Sequence, residues 1–253
     1  MRMERFRIAW VSSHAYKNRP MTHRTLVVAR WFAVGLLVSS SAFLAGADLI
    51  LKEDFESGAS RWEPTDPDAW KLSQGRGGHV LELVTGRSKY NPPHRSPLGI
   101  ALLRDVNVGD FTLTAKVKTT TDYYGHRSLC LFFGYQDPAN FYYVHFGQEM
   151  DDHANQIFVV DDAPRTKIST RTTAGTPWEN DTWHRVKIVR TVADGRIDIF
   201  FDDLEHPIMT ATDKRFFWGR VGVGSFDDTG MWDDIVLNGE KVEPLKKPAD
   251  SGE

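Results

Sequence analysis

The chain has 253 residues, 41% of them hydrophobic and 26% charged, with a formal net charge of −3 and a single cysteine. Seven of the 31 Lys/Arg and one of the 34 Asp/Glu fall in residues 1–47, so the remainder carries 24 basic against 33 acidic side chains, a net charge of −9. That acidity excludes the overall positive potential on which nucleic-acid and anionic-membrane binding rest, and one thiol excludes an intramolecular disulfide.

Residues 1–47 read as an export segment. Arg24 and Arg30 precede the apolar run 31–38, three serines follow at 39–41, and Ala45-Gly46-Ala47 supplies small residues. This order is that of a secretory signal peptide cut after Ala47, which implies a secreted or periplasmic protein not inserted in a membrane. A membrane anchor fits less well, because spanning takes about 20 apolar residues and this run is shorter and broken by the serines. Residues 1–20 add nothing a signal needs, which makes Met21 a candidate start of translation.

Residues 48–240 read as one all-β domain and 241–253 as a polar C-terminal tail. Phe111, Leu113, Ala115 and Val117 alternate with polar residues, as do Val186 and Ile188, and Ile197, Ile199 and Phe201; this is the period of half-buried strands. Gly, Pro, Asp and Asn punctuate the chain at 66–67, 75–78, 91–93, 137–138, 193–195 and 227–230. Ala193-Asp194-Gly195 fits a tight hairpin. Many short strands with such punctuation imply a two-sheet sandwich or jelly roll, and 206 residues suffice to bury a core without disulfides. Cys130, in the apolar run Leu129-Cys130-Leu131-Phe132-Phe133, reads as a buried, inert thiol.

Residues 123–165 hold the polar chemistry. Three aromatic-rich runs separated by turns at 136–140 and 148–152 predict three successive antiparallel strands. Alternation then places Leu129, Leu131 and Phe133 on one face with Tyr142, Val144 and Phe146, and sends His126, Ser128 and Cys130 to the other face with Phe141, Tyr143 and His145. An open face carrying Tyr143, His145, His126 and Arg127, with Asn155, Gln156 and Arg165 beside them, is suited to binding or cleaving sugars. The stiff loop 90–97, with His94 and Arg95 at its centre, either walls one end of such a cleft or is a plain surface connection. Trp178, in a Gly-Thr-Pro-Trp turn, is a candidate exposed platform for a sugar ring, while Trp183 and Trp232 read as packing.

The order of Asp54-Phe55-Glu56-Ser57-Gly58, Trp62, Phe111-Thr112-Leu113, the step from Gly134 to Tyr143, Trp183-His184-Arg185-Val186, Gly219-Arg220-Val221-Gly222 and Trp232-Asp233-Asp234-Ile235 resembles the concanavalin A-like lectin/glucanase superfamily, in its laminin-G-like and 3-keto-disaccharide-hydrolase-like branch. The resemblance covers residues 49–239. It implies a two-sheet antiparallel jelly roll with a concave, glycan-facing sheet, and leaves the activity open, because the fold hosts binders, hydrolases and lyases.

Retaining glucanases of that superfamily place two carboxylates about 5 Å apart in a Glu-x-Asp-x-x-Glu strand motif that this chain lacks. A polysaccharide lyase instead needs Arg, Asn, Gln or His to neutralise a uronate and a Tyr or His to take a proton. His126, Arg127, Tyr143, His145, Asn155, Gln156 and Arg165 match the jelly-roll alginate lyases in residue type only. A basic cluster of Arg127, Arg165, Lys167 and Arg171 would offset the overall acidity for such a ligand. Asp227, Asp228, Asp233 and Asp234 near the C-terminus, with Glu53, Asp54 and Glu56 at the opposite end, suggest a structural calcium site, with Glu56, Asp233 and Asp234 as its candidate ligands, if the first and last strands are neighbours; solvated turn acids are the alternative. The readings left standing are a monomeric, exported carbohydrate-binding or glycan-processing protein, a lyase or modified-disaccharide hydrolase, and a non-catalytic adhesion or scaffold domain.

Overall fold

The computed structural model describes residues 48–75 and 77–245; residues 1–47, where an export segment was expected, and most of the polar tail lie outside them. The described residues form strands β1 (Asp48–Glu53), β2 (Trp62–Pro64), β3 (Trp70–Gln74), β4 (His79–Leu83), β5 (Gly99–Leu103), β6 (Val108–Thr119), β7 (Ser128–Asp137), β8 (Asn140–Gly147), β9 (Gln156–Asp161), β10 (Thr166–Lys167) and β11 (Ser169–Arg171). They continue through β12 (His184–Thr191), β13 (Arg196–Phe201), β14 (Met209–Thr212), β15 (Arg220–Ser225) and β16 (Gly230–Lys241), with one 3-10 turn at Pro67–Ala69.

The strands pair antiparallel in two sheets. The larger has the order β11-β14-β13-β12-β6-β16-β4-β3, with β1 also on β16; the smaller runs β10-β9-β8-β7-β15-β5-β2. This is the two-sheet sandwich expected from strand spacing. The long central strands carry the clearest alternation: Phe111, Leu113, Ala115 and Val117 of β6 are buried and meet Leu129, Leu131 and Phe133 of β7 in the core between the sheets. Thr191 faces Arg196 across the 192–195 connection, so the hairpin falls where Asp194-Gly195 placed it. Gly195 adopts a φ of +81° there, a left-handed conformation that glycine takes without penalty.

The smaller sheet buries both of its faces. One packs on the larger sheet; the other carries a second apolar cluster of Ile100, Leu102, Cys130, Phe132, Phe141, Tyr143, Phe158 and Val160. Residues 84–98 strap across this second face. Tyr90 packs on the cluster, Ser96 and Pro97 are buried, and the Leu98 amide donates to the Phe226 carbonyl at 3.1 Å. Cys130 is free and buried, and burial pushes its thiol pKa well up, which suppresses the reactive thiolate.

The β1–β16 pairing aligns Glu53 with Ile235, so the ends of the domain are neighbours as the calcium reading required. The ligand set does not assemble. Glu56 accepts from the His79 amide at 2.5 Å and faces the His79 ring at 3.2 Å, while Asp234 pairs with Lys116 at 2.6 Å. Asp233 accepts from the Asp234 amide at 2.7 Å. Among the described residues no group of three His, Cys, Asp or Glu side chains is arranged to hold a metal.

Trp232 is fully buried in β16, opposite Val117 of β6 and Leu81 of β4. Its indole packs on Trp70 with ring centroids 5.3 Å apart. Trp232→Ala is expected to lower unfolding free energy by about 3–5 kcal/mol, read from urea denaturation, through the cavity left between the sheets.

Candidate functional site

Strands β7, β8 and β9 set three polar side chains in register on the second face of the smaller sheet. Cys130 pairs with His145, His145 with Gln156, and Tyr143 with both Phe132 and Phe158. The alternation anticipated from residues 123–165 is therefore realised, but most of that face is closed. Tyr143 is fully buried under the strap, its ring stacked on Phe158 at 5.2 Å, and its hydroxyl accepts from Arg165 Nη1 at 2.8 Å. Burial raises its pKa beyond any physiological range despite the arginine. A covered, neutral phenol with its oxygen already engaged is not the proton acceptor a lyase needs.

The face opens at its end near His145, in a cleft of about 160 Å³ lined by Arg95, Tyr124, His126, His145, His153, Arg165, Phe226 and Asp227. His145 is its buried wall, 4% exposed. Nε2 lies 2.8 Å from Ser128 Oγ. Ser128 in turn is fastened to the buried Asp228, through its amide at 2.8 Å and its hydroxyl at 3.3 Å. Tyr124 donates its hydroxyl to the other oxygen of Asp228 at 2.8 Å. The ring stands edge-on between Phe158 and Phe226, at 6.4 and 6.3 Å. Its Nδ1 is buried without a partner among the described residues. Burial, then the nearby Arg165 charge, pushes the His145 pKa down to about 3, so the ring is neutral at neutral pH.

Two arginines face it. The Arg165 guanidinium lies 4.6 Å from the Phe158 ring centroid and 4.5 Å from that of Phe226, and Arg95 stands over Phe226 at 5.9 Å. The Arg165 amide donates to the Arg95 carbonyl at 3.2 Å, tying the strap to the chain beyond β9. On the rim, His126 Nε2 meets Asp151 Oδ2 at 2.8 Å. Burial pushes the Asp151 carboxyl up, but the amides of His153 and Ala154 and the His126 ring outweigh it and hold the pKa below the ordinary value. The charged carboxylate thereby fixes the histidine.

Of the residues singled out in the sequence, His126, His145, Arg95 and Arg165 meet in this cleft. His94, half-buried in the strap, is not among its lining residues. Arg127 does not join them: 1% exposed, it donates to Gln148 Oε1 at 2.7 Å, to the Trp178 carbonyl at 2.8 Å and to Asn180 Oδ1 at 2.5 Å, holding loops together. Asn155 is likewise structural, its amide bonded to Thr172 at 3.1 Å and its carbonyl oxygen to Thr176 at 2.8 Å. Gln156 is buried and donates to the Asp151 carbonyl at 2.9 Å. Trp178 is no exposed platform. It is 5% exposed, donates Nε1 to the Phe146 carbonyl at 2.7 Å and packs edge-on against His184 and Phe201. Tyr124, Ser128, His153, Phe226 and the Asp227–Asp228 pair escaped the sequence reading as parts of this site; the last three are about 75 residues or more from β8, and only pairing of β15 with β7 brings them in.

An all-β, two-sheet antiparallel jelly-roll sandwich of the concanavalin A-like kind, with a polar cleft at the end of one sheet face, is the class of protein these features define. No family model matches the chain, and no curated protein matches it in sequence. Among solved structures it is similar to the carbohydrate-binding module CBM66 from Bacillus subtilis, with a TM-score of 0.50 and 16% identity over 70% of this chain and 95% of that one. It is also similar to domain 4 of AbnA, a GH43 extracellular arabinanase from Geobacillus stearothermophilus, in complex with arabinotriose, with a TM-score of 0.52 and 12% identity over 78% and 95% of the two chains. A protein of unknown function with a galectin-like fold from Bacillus subtilis gives 0.51 and 11% identity over 77% and 97%. At these identities the likeness is one of fold.

The His145 pKa, near 6.5 when unfolded and about 3 when folded, makes acid unfolding the direction of instability. The unfolded chain binds the extra proton between those values, so this contribution is complete above pH 6.5 and is lost as pH falls toward 3. His145→Gln, which cannot titrate, should show a stability–pH slope shallower by about 1 kcal/mol per pH unit between pH 6 and 4, measured by urea unfolding.

Proposed function

We propose that this chain is an exported carbohydrate-binding protein that takes a sugar in the cleft between His145, Phe226, Arg95 and Arg165. The observation that carries the reading is the hollow in front of the buried His145 ring: Arg95, Arg165 and Phe226 converge on it at the end of the sheet face, the concave, partly apolar form with a few polar groups that ligand sites take. Around it are the parts that sugar recognition uses. Phe226 offers an apolar ring to the C–H face of a pyranose, and the guanidinium, imidazole and phenol groups supply directed hydrogen bonds to hydroxyls. The fold likeness to a carbohydrate-binding module and to a domain in complex with arabinotriose supports the same reading.

Binding is favoured over lyase chemistry because Tyr143 is sealed beneath the strap with its hydroxyl bonded to Arg165, and because a histidine with a pKa of about 3 is a weak base at neutral pH. Export rests on the order of residues 1–47, with Asp48 as the first residue of the processed, monomeric chain.

Titration calorimetry of the purified protein against a polysaccharide panel is expected to show binding that Phe226→Ala and His145→Ala each weaken by about tenfold or more, roughly 1.4 kcal/mol. No new ultraviolet absorbance from unsaturated uronates should accompany it. Binding that both variants leave intact would move the sugar elsewhere on the protein. N-terminal sequencing of secreted material is expected to begin at Asp48.

A further inference from the structure

The cleft contains two positive charges that the protein does not neutralise. Several other cations are matched by carboxylates: Lys116 with Asp234 at 2.6 Å, Lys118 with Asp181 at 2.7 Å, Lys167 with Asp152 at 2.6 Å and Arg220 with Glu63 at 2.7 Å. Arg95 and Arg165 converge on one ring, Phe226, at 5.9 and 4.5 Å, and neither guanidinium has a carboxylate at ion-pair distance among the described residues. Residues 48–253 hold 33 acidic against 24 basic side chains, so acids outnumber bases, yet these two guanidinium groups have none as a partner among the described residues. Holding two like charges over one aromatic ring, one of them half-buried, costs Coulomb energy that cation–π contact offsets only in part.

The sequence pointed to a different cluster. Of Arg127, Arg165, Lys167 and Arg171, only Arg165 lines the cleft. Arg127 is spent on loop carbonyls and amides, Lys167 on Asp152, and Arg171 on the Pro207 carbonyl. Arg95 joins Arg165 instead, because the strap crosses the sheet and bonds its own backbone to that of Arg165.

Resting on the carbohydrate reading of this cleft, we infer that it selects sugars bearing an anionic substituent, a uronate carboxylate or a sulfate ester, gripped between the Arg95 and Arg165 guanidinium groups. Arg165 spends Nη1 on Tyr143, and this bond orients the guanidinium. Its other N–H groups have no protein acceptor among the described residues and remain for an oxyanion, to which arginine offers paired donors. His145 closes the cleft behind them as its buried wall. Asp227 is the carboxylate among the lining residues; Asp151 on the rim is engaged by His126, and Asp228 behind the wall by Tyr124 and Ser128. His126 is already committed to Asp151.

The test compares oligosaccharide pairs that differ only in charge: oligouronates and the same oligomers with each carboxyl reduced to a primary alcohol, beside sulfated and unsulfated versions of one neutral oligomer. Calorimetry on the purified protein should give about tenfold or tighter binding of one charged member over its neutral partner, with the preference shrinking as salt rises. Arg95→Gln and Arg165→Gln should each erase most of that preference. Arg95 is exposed and its change leaves the Tyr143 contact intact, so it reports on the charge even if Arg165→Gln unsettles the fold. Preference for the uronate or for the sulfated member assigns the source of the anion, and either supports the subsite. Equal binding of charged and neutral members at a cleft still sensitive to Phe226→Ala overturns the anionic subsite and leaves sugar binding standing. Absence of binding to every oligomer overturns both.

Discussion

The smaller sheet has two apolar faces, and the need to cover both shapes everything on its functional side. Pairing with the larger sheet buries Leu131, Phe133, Tyr142, Val144 and Val159. The opposite face, with Phe132, Phe141, Tyr143 and Phe158, is just as apolar and would cost about 25 cal/mol for each Å² left in water. The strap of residues 84–98 covers part of it through Tyr90, and its Arg95 borders the cleft that lies beside His145.

This geometry also determines the electrostatics. His145 is flanked by Phe158 and Phe226 and sits near the Arg165 charge, so both desolvation and repulsion keep it neutral. Ser128 anchors it from below through Asp228, a carboxyl whose own pKa is raised by burial. The two arginines stand at the mouth, with the Phe226 ring beneath both guanidinium groups. A neutral donor or acceptor at the back and cationic donors at the mouth make a graded site, suited to a ligand with hydroxyls and one negative group.

The strands were legible in the sequence because their signal is local. Period-two alternation in residues 111–117, the Asp194-Gly195 turn and the three runs in residues 123–165 each depend on side chains within a few positions of one another. Which face of a strand is wet is not local. Tyr143 and His145 share a face and look alike in the sequence, yet Tyr143 lies beneath Arg165 and the strap while His145 borders a cleft. Arg127 and Trp178 look like surface ligands by residue type, and become loop struts because carbonyls 30 to 50 positions away lie within reach. The proposed calcium ligands were correctly placed near paired termini, but Lys116 and His79 reach them first.

By itself the sequence determined the all-β class, the order of strands in the region that carries the site, the inert environment of Cys130 and the identity of four side chains that meet in the cleft. Tertiary structure alone decided which of those side chains remain accessible, and it brought in Phe226 and Asp227 from the end of β15. The physical reason is that backbone pairing follows short-range patterns, whereas exposure, pairing of charges and hydrogen-bond satisfaction depend on segments that close over the sheet from distant parts of the chain.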